Sequence, residues 1–176
     1  MNPPLVIEGS ARQDGDTAQL VRGVRDRLDA SVVVSLSQID IAPFAYGATR
    51  QPDDFAAVID AMLASDDIVF ATPVYWYAMS GRMKTVFDRL TDLLHDDRLK
   101  PRARAFAGRR TWLLAVGTDP ALPPGFAEPF ARTSRYLGMN WSGAAYFNTR
   151  GDVWMGDAAP ALNRFIGRIR IARGRA

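Results

Sequence analysis

The sequence has no cysteine, one histidine and no long apolar run, and each absence closes off a class of function. Without cysteine there is no disulfide, no thiolate metal site and no cysteine nucleophile. The single His95 leaves little room for a histidine metal cluster. No apolar stretch approaches the roughly 20 residues that span a bilayer. The N-terminal Met1–Gly9 segment has no basic stretch leading into a long apolar one, so no export signal is expected and a soluble cytoplasmic protein is. Lysine is scarce as well: 20 of the 22 basic residues are arginine, which reads as genome composition before function. Acidic residues are missing after Asn163, where five arginines stand (Arg164, Arg168, Arg170, Arg173 and Arg175). Without those five, 17 basic residues face 19 acidic ones, a net charge of −2, so the overall +3 belongs to the tail.

What is present is a regular alternation. Leu5–Gly9, Ser31–Leu36, Asp67–Ala71, Thr111–Gly117 and Ala144–Asn148 are short, rich in β-forming residues and mostly without polar alternation. Strands covered on both faces read that way. Between them run helical stripes: Leu20, Val21, Val24 and Leu28; then Phe55, Val58, Ile59 and Met62; then Met83, Val86, Phe87, Leu90 and Leu94; and finally Leu162, Phe165, Ile166 and Ile169. A further helix is expected near Pro129, since proline suits a first helical position. Strand–helix alternation implies right-handed crossovers and a parallel sheet with helices on both faces. The expectation is one α/β domain over residues 1–176, with a basic tail from 164 to 176. Five strands favour the doubly wound flavodoxin-like order 2-1-3-4-5. Its ligand crevice lies beyond the carboxyl ends of strands 1 and 3, where the winding reverses.

The loops after those two strands carry the informative residues. The first is GSARQDGDT, residues 9–17. Gly9 is expected to turn the chain sharply, and Gly15 to adopt a second unusual dihedral. Ser10, Arg12 and Thr17 join free amides at a helix N-terminus, which together suit a phosphate. The alternative is that Asp16 caps the helix while Ser10 and Arg12 are merely solvated. Neither a Walker loop nor a G-x-G-x-x-G fingerprint is present. The second loop is TPVYWYAMSGRMK, residues 72–84. Tyr75, Trp76 and Tyr77 offer flat faces, Met79 adaptable thioether surface, and Gly81 close backbone approach. If both loops converge, they suit a phosphorylated planar ring system, and FMN fits that description.

These two segments resemble the flavodoxin-like NAD(P)H-dependent FMN reductases and quinone reductases. The pattern Gly-Ser-x-Arg-x-x-Gly-Asn-Thr falls on Gly9, Ser10, Arg12, Gly15, Asp16 and Thr17. The pattern Thr-Pro-x-Tyr-x-x-x-x-Ser-Gly-x-x-Lys falls on Thr72, Pro73, Tyr75, Ser80, Gly81 and Lys84. Asp16 departs from the family's asparagine, and a carboxylate beside a phosphate is unfavourable unless it caps the helix or pairs with Arg12. The resemblance implies that FMN contacts Ser10, Arg12, Asp16, Thr17, Pro73, Val74, Tyr75, Trp76, Tyr77, Met79, Ser80 and Gly81. The loop after strand 4 would add Gly117 and Thr118. The same resemblance implies NAD(P)H as co-substrate and a small-molecule electron acceptor such as a quinone, flavin, azo or nitro compound. It also implies a homodimer or homotetramer. No catalytic side chain is expected, because the chemistry rests on N5 of the flavin. A flavodoxin-type carrier, or an FMN-binding module without NAD(P)H activity, is the alternative. Trp154, in an expected polar loop over 148–157, is a candidate contact to a second subunit. His95 is read as structural, Asp88 and Arg89 as a local pair, and the arginine tail as an unlikely nucleic-acid contact.

Overall fold

The structure is a computed structural model and describes residues 1–28, 31–47, 52–97, 99–150 and 154–174, with only the backbone of 154–157. Its strands are β1 (Leu5–Glu8), β2 (Val32–Ser35), β3 (Asp67–Tyr75), β4 (Ala78–Met79), β5 (Arg110–Gly117) and β6 (Asn140–Asn148). The helices are α1 (Asp16–Arg27), α2 (Phe55–Leu63), α3 (Gly81–Arg89), α4 (Asp92–His95), α5 (Lys100–Ala103), α6 (Glu128–Tyr136) and α7 (Trp154–Gly174). The parallel sheet runs β2-β1-β3-β5-β6, and β4 folds back antiparallel onto the end of β3. Apart from that appended strand, this is the expected flavodoxin-like order.

Alternate residues of the strands feed two cores. Leu5, Ile7, Ile68, Phe70, Leu113 and Ala115 pack on one face beneath α2, α3 and α6. Val6, Val69, Ala71, Leu114 and Val116 pack on the other beneath α1 and α7. With both faces covered, the central strands have no solvent side, so they lack polar alternation.

Several expected boundaries move, each for a physical reason. Strand β3 continues to Tyr75 and takes up Thr72, Pro73 and Val74, which sequence placed in the loop; Pro73 pairs in register with Val116. A proline is tolerated in this central strand because of parity. Ala71 accepts from the Gly9 amide, and residue 73 points its missing N–H to the same side, where β1 has already ended. Strand β6 begins at Asn140, not Ala144, because a bulge between Thr111 and Leu113 of its partner, with Gly143 at φ +110°, breaks its pattern. The third helix stops at Arg89, so Leu94 is exposed and Leu93 is buried in its place. Arg89 is not paired with Asp88. It lies buried and bridges Asp53 and Asp92, while Asp88 pairs with Lys84.

Arg168, Arg170 and Arg173 of the arginine tail have structural partners. Asp67 is fully buried and receives Arg110 Nε and Nη2 (2.7 and 2.8 Å), Trp112 Nε1 (3.0 Å) and Arg173 Nη1 (3.0 Å). Burial raises the Asp67 pKa, but the donors from Arg110, Trp112 and Arg173 outweigh it and leave the carboxyl below the ordinary aspartate range. Arg173 also reaches the Asn2 carbonyl, and Arg168 caps the carbonyls of Ser142 and Ala144 at the bulged edge. No helix among the described residues is long and apolar enough to cross a membrane.

Candidate functional site

The winding reverses at β1 and β3, and one serine joins the loops that leave them. Ser80 Oγ donates to the Gly9 carbonyl (2.6 Å) and accepts from the Met83 amide (3.2 Å), which caps α3. Its own amide donates to Thr72 Oγ1 (3.1 Å), which in turn donates to the Pro73 carbonyl. Ser80, expected to touch the ligand, is therefore buried and occupied as the tie between loops. Gly9 serves close approach, not an unusual dihedral: a Cβ there would sit 2.9 Å from Ser80 Oγ and 3.1 Å from Met83 Cβ. Gly15, extended at φ −74°, takes no unusual dihedral either.

In the first loop Ser10 is buried, its hydroxyl accepting from the Arg12 amide (3.2 Å) and donating to the Arg12 carbonyl (3.0 Å). Arg12 is left exposed. Thr17 is buried in the first turn of α1. The N-cap is Gly15, which has no side chain to cap with, and among the described residues Asp16 neither takes the alternative capping role nor forms an ion pair with Arg12. The N-terminal amides of α1 thus have no side-chain acceptor among the described residues. An anion is favoured there by the helix dipole.

The second loop answers why three aromatics stand together. Tyr75 and Ala78 pair across a two-residue hairpin whose tip is Trp76 and Tyr77. Both tip residues have positive φ, +49° and +63°. A turn of this kind ordinarily takes Asn-Gly, because a Cβ is crowded in the left-handed region. The aromatics are not core: Tyr75 is 46% exposed, Trp76 94% and Tyr77 71%. Below them Pro73 is buried, Val74 and Met79 are half-buried, and Gly81 faces open space. Strained backbone carrying exposed rings is a feature of binding sites rather than of packing.

The third loop is held by residues that sequence did not single out. Tyr146 donates its hydroxyl to the Asp119 carbonyl (2.8 Å) and lies against Gly117, where a Cβ would be 2.8 Å from that hydroxyl. Burial, then the charge of Asp119, push the Tyr146 phenol above its ordinary range, so it stays a neutral donor. Thr149 donates its amide to the Gly117 carbonyl (2.9 Å). Gly117 is half-buried, and Thr118 is exposed beside it. The available signal was position alone: Tyr146 lies near the end of the last strand and Thr149 just beyond it, at the crevice edge of such a sheet. Of the expected loop over 148–157, residues 154–157 belong to α7, and the Trp154 side chain lies outside the described residues.

A family model described as NADPH-dependent FMN reductase matches residues 4–121, which hold both loops. The chain belongs to that family. This FMN reductase is 30% identical over 146 residues to YwqN of Bacillus subtilis (strain 168), whose name describes an NAD(P)H-dependent FMN-containing oxidoreductase; the alignment covers 78% of this chain and 80% of YwqN. Among solved structures it resembles the Trp repressor binding protein of B. subtilis, with TM-score 0.74, 25% identity, and 92% and 98% of the two chains covered. It also shares its fold with general stress protein 14 of Treponema denticola in complex with FMN, with TM-score 0.70, 18% identity, and 94% and 98% covered. The reductase's own residues fit that cofactor: an uncapped helix end and Arg12 for a phosphate, exposed rings for a flat heterocycle, and open space at Gly81. The enzyme is an FMN-dependent NAD(P)H oxidoreductase.

Proposed function

We propose that this reductase passes electrons from NAD(P)H, by way of FMN seated at the β1/β3 switch point, to a planar acceptor such as a quinone, a free flavin, or an azo or nitro compound. The observation that carries the reading is the strained aromatic hairpin standing open beside the uncapped end of α1. Bound FMN supplies the two-electron chemistry between donor and acceptor. Arg12, Thr17 and the first-turn amides of α1, Asp16 included, would hold its phosphate, with Ser10 shaping the loop around Arg12. Pro73, Val74, Tyr75, Trp76, Tyr77 and Met79 would flank one side of the ring, with Ser80 fixing their loop against Gly9 and Gly81 leaving room. Gly117 and Thr118, pinned by Tyr146 and Thr149, would border its polar edge.

With one face against the hairpin, the other serves donor and acceptor in turn, so the expected kinetics are ping-pong. No side chain in the crevice has to move a proton. A homodimer or homotetramer is part of the same reading, and light scattering reads it. The decisive experiment is anaerobic mixing of the FMN-loaded protein with NADH and, separately, NADPH. Bleaching of the visible flavin spectrum, reversed by adding a quinone, is the expected result. If neither nucleotide bleaches the flavin while dithionite does, the chain is an electron carrier or binding module instead.

A further inference from the structure

A second cavity, of about 330 Å3, lies between α1 and β2 on the far side of the first loop from β3. Its inner wall is Glu8, the last residue of β1, 7% exposed. Glu8 Oε1 has no hydrogen-bond partner among the described residues. The polar surround is Ser35, Gln13, Gln38, Arg22 and Arg25, over an apolar strip that includes Val21 and Val33. Arg22 donates to the Gln13 carbonyl (3.3 Å), which ties the cavity to the first loop. Neither Arg22 nor Arg25 has an ion pair among the described residues. The crevice chemistry described above uses none of these groups.

Each group asks for a complementary partner. A buried carboxylate with an unused oxygen needs hydroxyl or amide donors. Two unpaired guanidiniums at the rim need an anion, and phosphate matches their fork. Val21 and Val33 need an apolar face. A free hydroxyl, a phosphate on the neighbouring carbon and an apolar ring edge occur together in a phosphorylated ribose, and the 2′-phosphoribose of NADPH keeps its 3′-hydroxyl for the carboxylate. The volume suits a small-ligand site at the lower end of the usual range and is too small for a whole dinucleotide. Burial pushes the Glu8 carboxyl up in pKa, with the Ser35 hydroxyl and the Arg22 charge pulling it back, which fits a group awaiting donors.

We propose that this groove binds a phosphorylated ribose, and that the 2′-phosphoribose end of NADPH is its source. The second half rests on the reductase reading, which makes NADPH a co-substrate of this chain; the groove's own chemistry does not depend on it. The test is calorimetric titration of the purified protein, with and without FMN, using 2′,5′-ADP as probe and adenosine and inorganic phosphate as comparators. Saturable 2′,5′-ADP binding is expected, at least tenfold tighter than either comparator. Arg22→Ala/Arg25→Ala should weaken it at least tenfold and raise KM for NADPH by a similar factor. NADH-driven kcat at saturating FMN should stay as it is. Glu8→Gln, which keeps the shape of the wall, should also weaken the probe. Probe binding with KM for NADPH unchanged in the double variant overturns NADPH as the source and leaves a free phosphorylated nucleoside. Absence of saturable probe binding, or binding indifferent to both variants, overturns the site. Probe binding in a protein whose flavin neither nucleotide reduces would sink the reductase reading and leave the groove standing.

Discussion

Replacing Trp76 and Tyr77 together, as Trp76→Asn/Tyr77→Gly, should make the flavin-free protein more stable and its hold on FMN weaker. Both residues occupy the left-handed region, at φ +49° and +63°. That region costs an L-residue about 1–2 kcal/mol, and Asn-Gly is the pair that such a hairpin tip favours. The added glycine gives back about 0.5–1 kcal/mol through the freedom of the unfolded chain. Little burial is lost, since Trp76 is 94% exposed and Tyr77 71%. The net gain is about 1 kcal/mol, which for a chain of this length is a rise in Tm of about 2–4 °C. Losing two flat faces should at the same time weaken FMN by about 1–3 kcal/mol per stacked ring, by analogy with base–aromatic stacking. Paired measurements decide it: thermal melts with and without saturating FMN, and flavin titration by fluorescence quenching. The gain in Tm should be largest without FMN. A variant that melts lower without FMN, or binds FMN as well as the parent, would falsify the claim that the hairpin stores strain in order to present its rings.

Other expectations follow from the ties around the site. Ser80→Ala removes the hydroxyl that joins Gly9 to the α3 cap and should lower stability by about 1–3 kcal/mol, read by urea unfolding, and loosen FMN at the same time. Asp16 is half-exposed beside the expected phosphate, so Asp16→Asn should tighten FMN by about 1 kcal/mol, the scale of one like-charge contact in water. An unchanged dissociation constant would put the phosphate elsewhere. Asp67 and Asp53 both titrate below the ordinary aspartate value. For each, burial is the largest influence and raises the pKa, but the arginine and other donors overcome it. A carboxyl with a depressed folded pKa contributes stability that is full above the unfolded value, about 3.9, and is lost as pH falls through the folded one. Stability should therefore hold down to about pH 5 and decline below about pH 4, and Asp67→Asn should flatten that acid limb in urea midpoints measured across pH.

Hydrophobic patterning alone was enough for the layer order. Apolar runs at Leu5–Glu8, Asp67–Ala71 and Thr111–Gly117, separated by stripes such as Phe55, Val58, Ile59 and Met62, can be buried only in a two-faced parallel sheet, and the structure pairs them in the flavodoxin-like order. The two motif loops were legible for the same local reason, because glycines, hydroxyls and aromatics beyond strand ends have few other uses. The partner of each polar atom emerged only once the layers had packed. Ser80 read as a ligand contact and is a tie to Gly9, 71 residues away in the chain. Arg89 read as the partner of its neighbour and reaches back to Asp53. Arg173 read as one more charge of a basic tail and closes on Asp67. Tyr146 carried only the signal of its place near the end of the last strand until β6 brought it against Gly117. Hydrophobic periodicity is a property of one segment and can be read from it. A buried hydrogen bond depends on which distant donor or acceptor is left at that place once the layers have packed.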